Sequence, residues 1–377
     1  MRPTLGYSPL PEQTREVERT VATWINTPAE LQARLELRPT RIGLDTEFIR
    51  ERTFWPQLAL VQMAVGPEIL LIDPLAPGMA EALAPWLADN SITKVMHSAS
   101  EDLVAFKHTC GTLPRPLFDT QIGASLAGIG SGMGYQKLVQ EITGVALAKG
   151  ETRSDWMRRP LSDAQLQYAA DDVEHLFALH DAISTKLQEQ GRLQWLHDDG
   201  ERLLASVAND EDRWPHLGMR SAQFLDNAAQ IRLLRLLRWR DAQARANDRP
   251  RSWILDNELA ATLARTPPAD EAALGALFEQ FPKAPRKLAG AVWKALTTPL
   301  ADEGDAPPVL PATDTNKQAL KKLQDAVAQC SRELGLADGV LASRKHLESY
   351  LESRRWPAPL AGWRQPLLEP RLQPLLP

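Results

Sequence analysis

The chain has 377 residues, 44% hydrophobic and 24% charged, with a formal net charge of −5, which is the make-up of an ordinary globular protein of two or three domains. Cys110 and Cys330 are its only cysteines, so neither a disulfide framework nor a cysteine-rich zinc site is expected. No apolar run reaches the roughly 18 residues of a membrane helix, and the N-terminal segment lacks the apolar stretch of a secretory signal; the expected location is the cytoplasm.

In chain order, apolar runs predict strands at Val21–Ile25, Ile42–Phe48, Leu58–Val65, Ile69–Ile72 and Thr93–Met96, with helices at Pro28–Leu37, Met79–Leu87 and Leu103–His108. Three strands in succession before the first long crossover predict a mixed sheet, with antiparallel hairpins leading into parallel strands. The second strand carries an anomaly. Asp45 and Glu47 lie two residues apart in Arg41–Ile49, so both side chains fall on one face of a strand that is otherwise apolar. Paired carboxylates there resist burial and repel each other unless a cation lies between them.

Further acidic signals follow. His97–Asp102 leads from the Thr93–Met96 strand into a helix, and a long helical segment of about Ser162–Gln190 places Tyr168 and Asp172 on one face at i, i+4. Asp171, at i+3, competes with Asp172, and Asp119 competes with Asp102, although Asp119 reads better as the N-cap of the helical run Ile122–Leu126. His97 stands at the edge of this group, and His175 and His180 lack the spacing of a zinc pair. The glycines of 128–134 follow a helix and lack the Lys-Ser/Thr of a phosphate loop, so they read as a connector. Lys149, Arg153, Arg158 and Arg159 form a basic stretch that can meet phosphates.

From Ala222 onward the pattern is helical. Residues 1–213 hold 20 Lys+Arg against 30 Asp+Glu, residues 214–300 hold 13 against 8, and residues 301–377 hold 10 of each. The middle segment is therefore the better footprint for a polyanion. Its run Ile231–Arg240 continues to Arg249, with Leu233, Leu234, Leu236 and Leu237 on one side and Arg232, Arg235, Arg238 and Arg245 on the other. A Pro-, Ala- and Asp-rich linker then precedes amphipathic helices at Leu320–Leu334 and Lys345–Leu351, and Trp356 and Trp363 read as anchors of the tail.

The ordered set Asp45-Thr-Glu47, Pro56–Met63, His97–Asp102, Lys149–Leu161 and Tyr168-Ala-Ala-Asp-Asp172 resembles the DEDD exonucleases, in their Tyr-containing ribonuclease D branch. The Arg-rich helix and its successors resemble the HRDC domain, a small helical nucleic-acid-binding module, and the last segment resembles a second one. The resemblance implies an α/β ribonuclease H-like exonuclease domain over 1–205, two all-α HRDC-type domains over 214–297 and 316–377, and a linker over 298–315. It also implies that Asp45, Glu47, Asp102 and Asp172 hold two Mg²⁺ or Mn²⁺ ions, and that Tyr168 orients or activates the attacking water.

The expected activity is that of a 3′→5′ exoribonuclease releasing nucleoside 5′-monophosphates from tRNA precursors with 3′ extensions, working as a monomer away from membranes. Lys149, Arg153, Arg232, Arg235, Arg238 and Arg245 are the expected RNA contacts. A DNA 3′→5′ exonuclease and a nucleic-acid-binding adaptor with an inactive core are the alternatives. The chemistry suits these residues: in-line phosphodiester hydrolysis develops negative charge at both ends of the displacement, and hard cations held by carboxylates offset it.

Overall fold

The computed structural model describes residues 22–36, 38–148, 150, 154–310 and 314–376. Val21, Leu37, Lys149 and Arg153 lie outside these described residues.

The first unit contains β1 (Ala22–Ile25), α1 (Pro28–Leu35), β2 (Arg41–Ile49), β3 (Gln57–Val65), β4 (Glu68–Ile72), α2 (Met79–Ala88), β5 (Thr93–Met96), α3 (Ser100–Cys110) and β6 (Leu117–Asp119). After these come α4 (Thr120–Leu126), α5 (Tyr135–Thr143), α6 (Asp163–Glu174), α7 (Leu176–Glu189) and α8 (Leu193–Ala208). The six strands make one sheet in the order β1-β4-β3-β2-β5-β6. The β2–β3 and β3–β4 pairs are antiparallel, whereas β1–β4, β2–β5 and β5–β6 are parallel, so the mixed sheet expected from the strand spacing is present.

Alternation along β2 divides the core in two. Ile42 and Leu44 join Leu83, Leu103 and Phe106 on the α2/α3 side, while Gly43 faces Leu176 of α7 across the other face. Asp45 and Glu47, in step with Gly43, therefore share the face covered by α6 and α7. Among the described elements of this unit, the sequence reading missed β6, α5 and α8, and it joined α6 and α7 into one helix.

That join fails at His175 for a local reason. The Tyr135 hydroxyl accepts from the His175 N–H at 3.1 Å and donates to the Asp171 carbonyl at 3.1 Å. A side chain thereby satisfies backbone groups that an unbroken helix would pair internally. At its other end, α6 starts at a capping box in which Ser162 and Gln165 bond reciprocally, an arrangement worth about 1 kcal/mol.

The middle helices are α9 (Asn227–Ala246), α10 (Arg251–Ile254), α11 (Asn257–Arg265), α12 (Glu271–Glu279) and α13 (Ala289–Thr297), and they enclose a core of their own around Leu233, Leu237, Leu263 and Phe278. They meet the first unit at the loop after β2, where the Asp248 carboxylate accepts from the Phe54 and Trp55 amides at 2.9 and 3.0 Å. Arg245 and Arg251 lie over the Phe54 ring at 4.9 and 4.6 Å, within cation–π range.

The last helices, α14 (Asp314–Leu334), α15 (Asp338–Leu341), α16 (Arg344–Ser353) and α17 (Gln365–Leu372), pack back onto the first unit. Trp363 stacks on Trp195 at 4.2 Å, and Arg364 makes two bonds to the buried Asp199 at 2.6 and 2.7 Å. Removing either member of so buried a pair costs about 3–5 kcal/mol, which makes this contact an anchor. Trp356, edge-on to Tyr350 at 5.1 Å, is packed in the same region.

Candidate active site

The site grows from the end of β2. Asp45 pairs across the sheet with Gln62 and Glu47 with Leu60, and the register breaks in a bulge immediately after Glu47. A bulge bends the strand and pairing resumes only at Phe48 and Ile49, so the dyad lies near the C-terminal end of β2. Asp102 arrives from the first turn of α3 and is buried at 7% exposure; the Thr46 hydroxyl, between the dyad residues, donates to its carboxylate. Tyr168 and Asp172 come from α6, one turn apart.

These four carboxylates act on one another. Burial holds the Asp45 carboxyl well above its usual range, and the charges of Asp102, Asp172 and Glu47 push the same way. Burial, then Asp172 and Asp102, raise Glu47 to about 8. Asp102 is pushed up to about 7 by burial, against the opposing hydrogen bond from Thr46. Asp172 is likewise raised to about 7 by burial, opposed by a hydrogen bond from Tyr168.

Tyr168 itself moves upward, first through burial and then through the charges of Asp172 and Glu47. It therefore remains a protonated donor at neutral pH. Its ring lies 5.9 Å from that of Trp156, and a Cβ added at Gly150 would meet Tyr168 Cδ2 at 1.7 Å. Only a residue without a side chain lets that backbone approach so closely.

Among the described residues, no lysine or arginine pairs with any of the four acids, and no three His, Cys, Asp or Glu side chains are already drawn into a ready-made metal cage. The donor set is anionic oxygen throughout, which fits hard divalent cations. Four neighbouring carboxylates with no counter-charge among the described residues are costly to bury, and a cation is the group that would relieve them.

The competing residues have other work. Asp119 caps α4 by accepting from Gln121 and Ile122 at 2.8 and 3.1 Å, and it also accepts from the Ala99 amide at 2.9 Å, bracing the turn before α3. Asp171 accepts from Gln167 at 2.7 Å. His97 is held between the Thr120 hydroxyl and the Met133 carbonyl at 2.9 and 3.1 Å. Sequence reasoning missed Thr46, Tyr135, Gly150 and Trp156 as supports; Thr46, as the middle residue of Asp-Thr-Glu, was the one with a legible signal.

The expected basic face of α9 differs from expectation. Arg232 donates to the Ala264 carbonyl at 2.8 Å, and Arg235 grips Glu303 with bonds of 2.7 and 2.5 Å. Arg238 holds Asp302 at 2.7 and 3.1 Å, and Arg245 bonds Asp241 and Asp210 at 2.6 and 2.8 Å. These four guanidiniums tie the helices together and do not form an open stripe. Arg159 is also held internally, on Asp73 and the Ala59 carbonyl, whereas Arg158 is exposed. Lys149 and Arg153 lie outside the described residues.

Comparison with known proteins matches three stretches of the chain. Residues 18–188 match the 3′-5′ exonuclease model, residues 230–290 the HRDC domain, and residues 315–372 the C-terminal HRDC domain of ribonuclease D. The chain is 68% identical to ribonuclease D of Xanthomonas oryzae pv. oryzae over 94% of its own length and 98% of that protein's. It is 37% identical to ribonuclease D of Pseudomonas paraeruginosa over 91% and 94% of the two lengths. The crystal structure of Escherichia coli RNase D, described as an exoribonuclease involved in structured RNA processing, superposes with a TM-score of 0.81 at 30% identity, over 95% of this chain and 99% of that one. Since the likeness runs from the acidic sheet edge through both helical units, and not through the exonuclease fold alone, the chain belongs to the ribonuclease D family of 3′→5′ exoribonucleases.

Proposed function

We propose that Asp45, Glu47, Asp102 and Asp172 hold two Mg²⁺ or Mn²⁺ ions, and that Tyr168 orients the attacking water as the enzyme removes nucleoside 5′-monophosphates from RNA 3′ ends. The substrate class we propose is tRNA precursors with 3′ extensions, handled by a monomer in the cytoplasm. No helix among the described residues is long and apolar enough to cross a membrane.

One observation carries the reading: four mutually repelling carboxylates from three elements, with no basic partner among the described residues, face a tyrosine that donates to one of them. Two divalent cations bound there would neutralise charge at the scissile phosphate and acidify the attacking water. The chain's own part is placement. Asp45 and Glu47 come from a rigid strand, Asp102 is fixed by Thr46, and Asp172 by Tyr168. A tyrosine whose own proton is held this tightly cannot serve as the base at neutral pH, so its contribution is direction.

The test is digestion of a 3′-labelled tRNA carrying a 3′ extension, with Mg²⁺ and with EDTA. Stepwise release of labelled mononucleotide only with the metal is the expected result. Internal fragments, or equal activity in EDTA, would overturn the reading.

A further inference from the structure

A cleft of about 530 Å³ lies between the first unit and the middle helices, with Arg50, Phe54, Arg240 and Arg251 among its walls. Its walls carry these three arginines and one acid, Glu51. Two of the arginines have acidic partners: Arg50 bonds Glu101 at 3.1 Å, and Arg251 bonds Asp241. Arg240 does not. It is only 9% exposed, its Nε has no hydrogen-bond partner, and among the described residues no carboxylate stands within salt-bridge distance of it. Its Nη1 reaches only the Leu255 carbonyl and Asn257 Oδ1, at 3.1 and 2.7 Å.

A guanidinium so deeply buried is normally paired. Arg235, Arg238 and Arg245 on the same helix each sit on a carboxylate; Arg232 and Arg240 do not, and of these two only Arg240 is buried with an unpartnered Nε. Arg240 lines the cleft, where an anion would offset its buried charge, and phosphate matches the guanidinium fork.

The position of the cleft says which phosphate. Arg50 follows Glu47 by three residues, which span at most about 10 Å of extended chain, and its partner Glu101 is the chain neighbour of Asp102. The cleft therefore opens beside two of the site acids. On the same short helix as Arg251, Trp253 presents an indole 55% exposed to solvent, a surface on which a base can stack.

Resting on the exoribonuclease reading above, we infer that this cleft is an RNA-backbone subsite: Arg240 and Arg251 take a phosphate of the single-stranded 3′ segment just upstream of the nucleotide being removed, and Trp253 stacks a neighbouring base. The subsite positions the strand and does not touch the reacting bond.

The experiment is fluorescence anisotropy of a short single-stranded RNA with a free 3′ end, in EDTA so that no cleavage occurs, at several salt concentrations. Arg251→Ala and Arg240→Gln should each weaken binding about fivefold to tenfold and flatten the salt dependence by about 0.7 per lost phosphate contact. Trp253→Ala should weaken binding with the salt dependence unchanged, and the surface variant Arg344→Ala should bind as wild type. Circular dichroism identifies a misfolded Arg240→Gln protein, in which case Arg251→Ala and Trp253→Ala decide.

Wild-type affinity and salt slope in folded Arg251→Ala would overturn the subsite, as would a nucleoside 5′-monophosphate that binds with the same arginine dependence while the RNA strand does not. The two readings separate cleanly. Stepwise digestion that survives with undiminished RNA affinity in the cleft variants rejects the subsite alone, whereas a wild-type protein that releases no mononucleotide rejects the enzyme assignment.

Discussion

The acids at the end of β2 and the arginines of α9 are both rows of like charge on a regular element, yet the fold treats them oppositely. Arg235 finds Glu303, Arg238 finds Asp302 and Arg245 finds Asp210, so the basic row is neutralised within the protein. Asp45, Glu47, Asp102 and Asp172 have no basic partner among the described residues, and burial, reinforced by neighbouring carboxylates, holds their protons tightly. Buried like charges report a binding function where the fold withholds their partners; where it supplies them, as for Arg235, Arg238 and Arg245, they report architecture. Arg240 lies on the basic helix but belongs to the first class.

The comparison is broken most directly at the acids. Asp45→Ala and Asp172→Ala should each lower turnover of 3′-extended RNA by about 10³-fold or more, several kcal/mol of transition-state stabilisation, while RNA affinity in EDTA stays unchanged. A calorimetric Mn²⁺ titration should lose its signal in the same variants. Retained turnover would mean that these charges, too, are architecture. Tyr168→Phe is expected to cost about 10²-fold in kcat with little change in KM, because its hydroxyl aims a group and does not hold the strand; a loss confined to KM would contradict that role.

At the arginines the expectation reverses. Arg235→Ala leaves Glu303 without its partner, in a pair whose side chains are 15% and 18% exposed. We expect a destabilisation of about 2–4 kcal/mol, seen by calorimetry as a lower Tm for the middle unit, and RNA affinity within about twofold of wild type. An unchanged Tm with much weaker RNA binding would restore the open basic face that the sequence pattern suggested.

Why the sequence made the grouping of one row legible and left the pairing of the other hidden is a matter of range. Periodicity is local: it revealed β2 with both acids on one face, and Tyr168 and Asp172 one helical turn apart. Pairing is not local. Glu303 lies 68 residues beyond Arg235, and Asp210 lies 35 before Arg245, distances over which no spacing rule operates. The break at His175 was hidden because its cause, the Tyr135 hydroxyl, lies 40 residues away. Strand β6 is three residues long, too short to alternate. The close approach of Gly150 to Tyr168 is visible only in three dimensions.

The smallest effect is the most specific to unpaired acids. In EDTA, Glu47 holds its proton up to about 8 and Asp102 and Asp172 up to about 7, against ordinary values of 4.5 and 3.8. The folded state thus binds more protons than the unfolded chain between about pH 4 and 8, so stability falls as pH rises through that window and is lowest above it. His97, His180, His216 and His346 act in the opposite sense, because burial lowers their pKa values below 6.5, and their influence ends once the unfolded histidines are neutral. Lys94, lowered by burial to about 8, also opposes the carboxylates, chiefly above that pH. Between pH 7 and 8 the carboxylates dominate, and Tm should drop by about 3 °C. Saturating Mg²⁺ should abolish the drop, and a Glu47→Gln/Asp172→Asn double variant should flatten it without metal. A Tm that stays level from pH 7 to 8 in EDTA would show that these carboxylates are compensated in the folded protein after all, and the contrast with α9 would disappear.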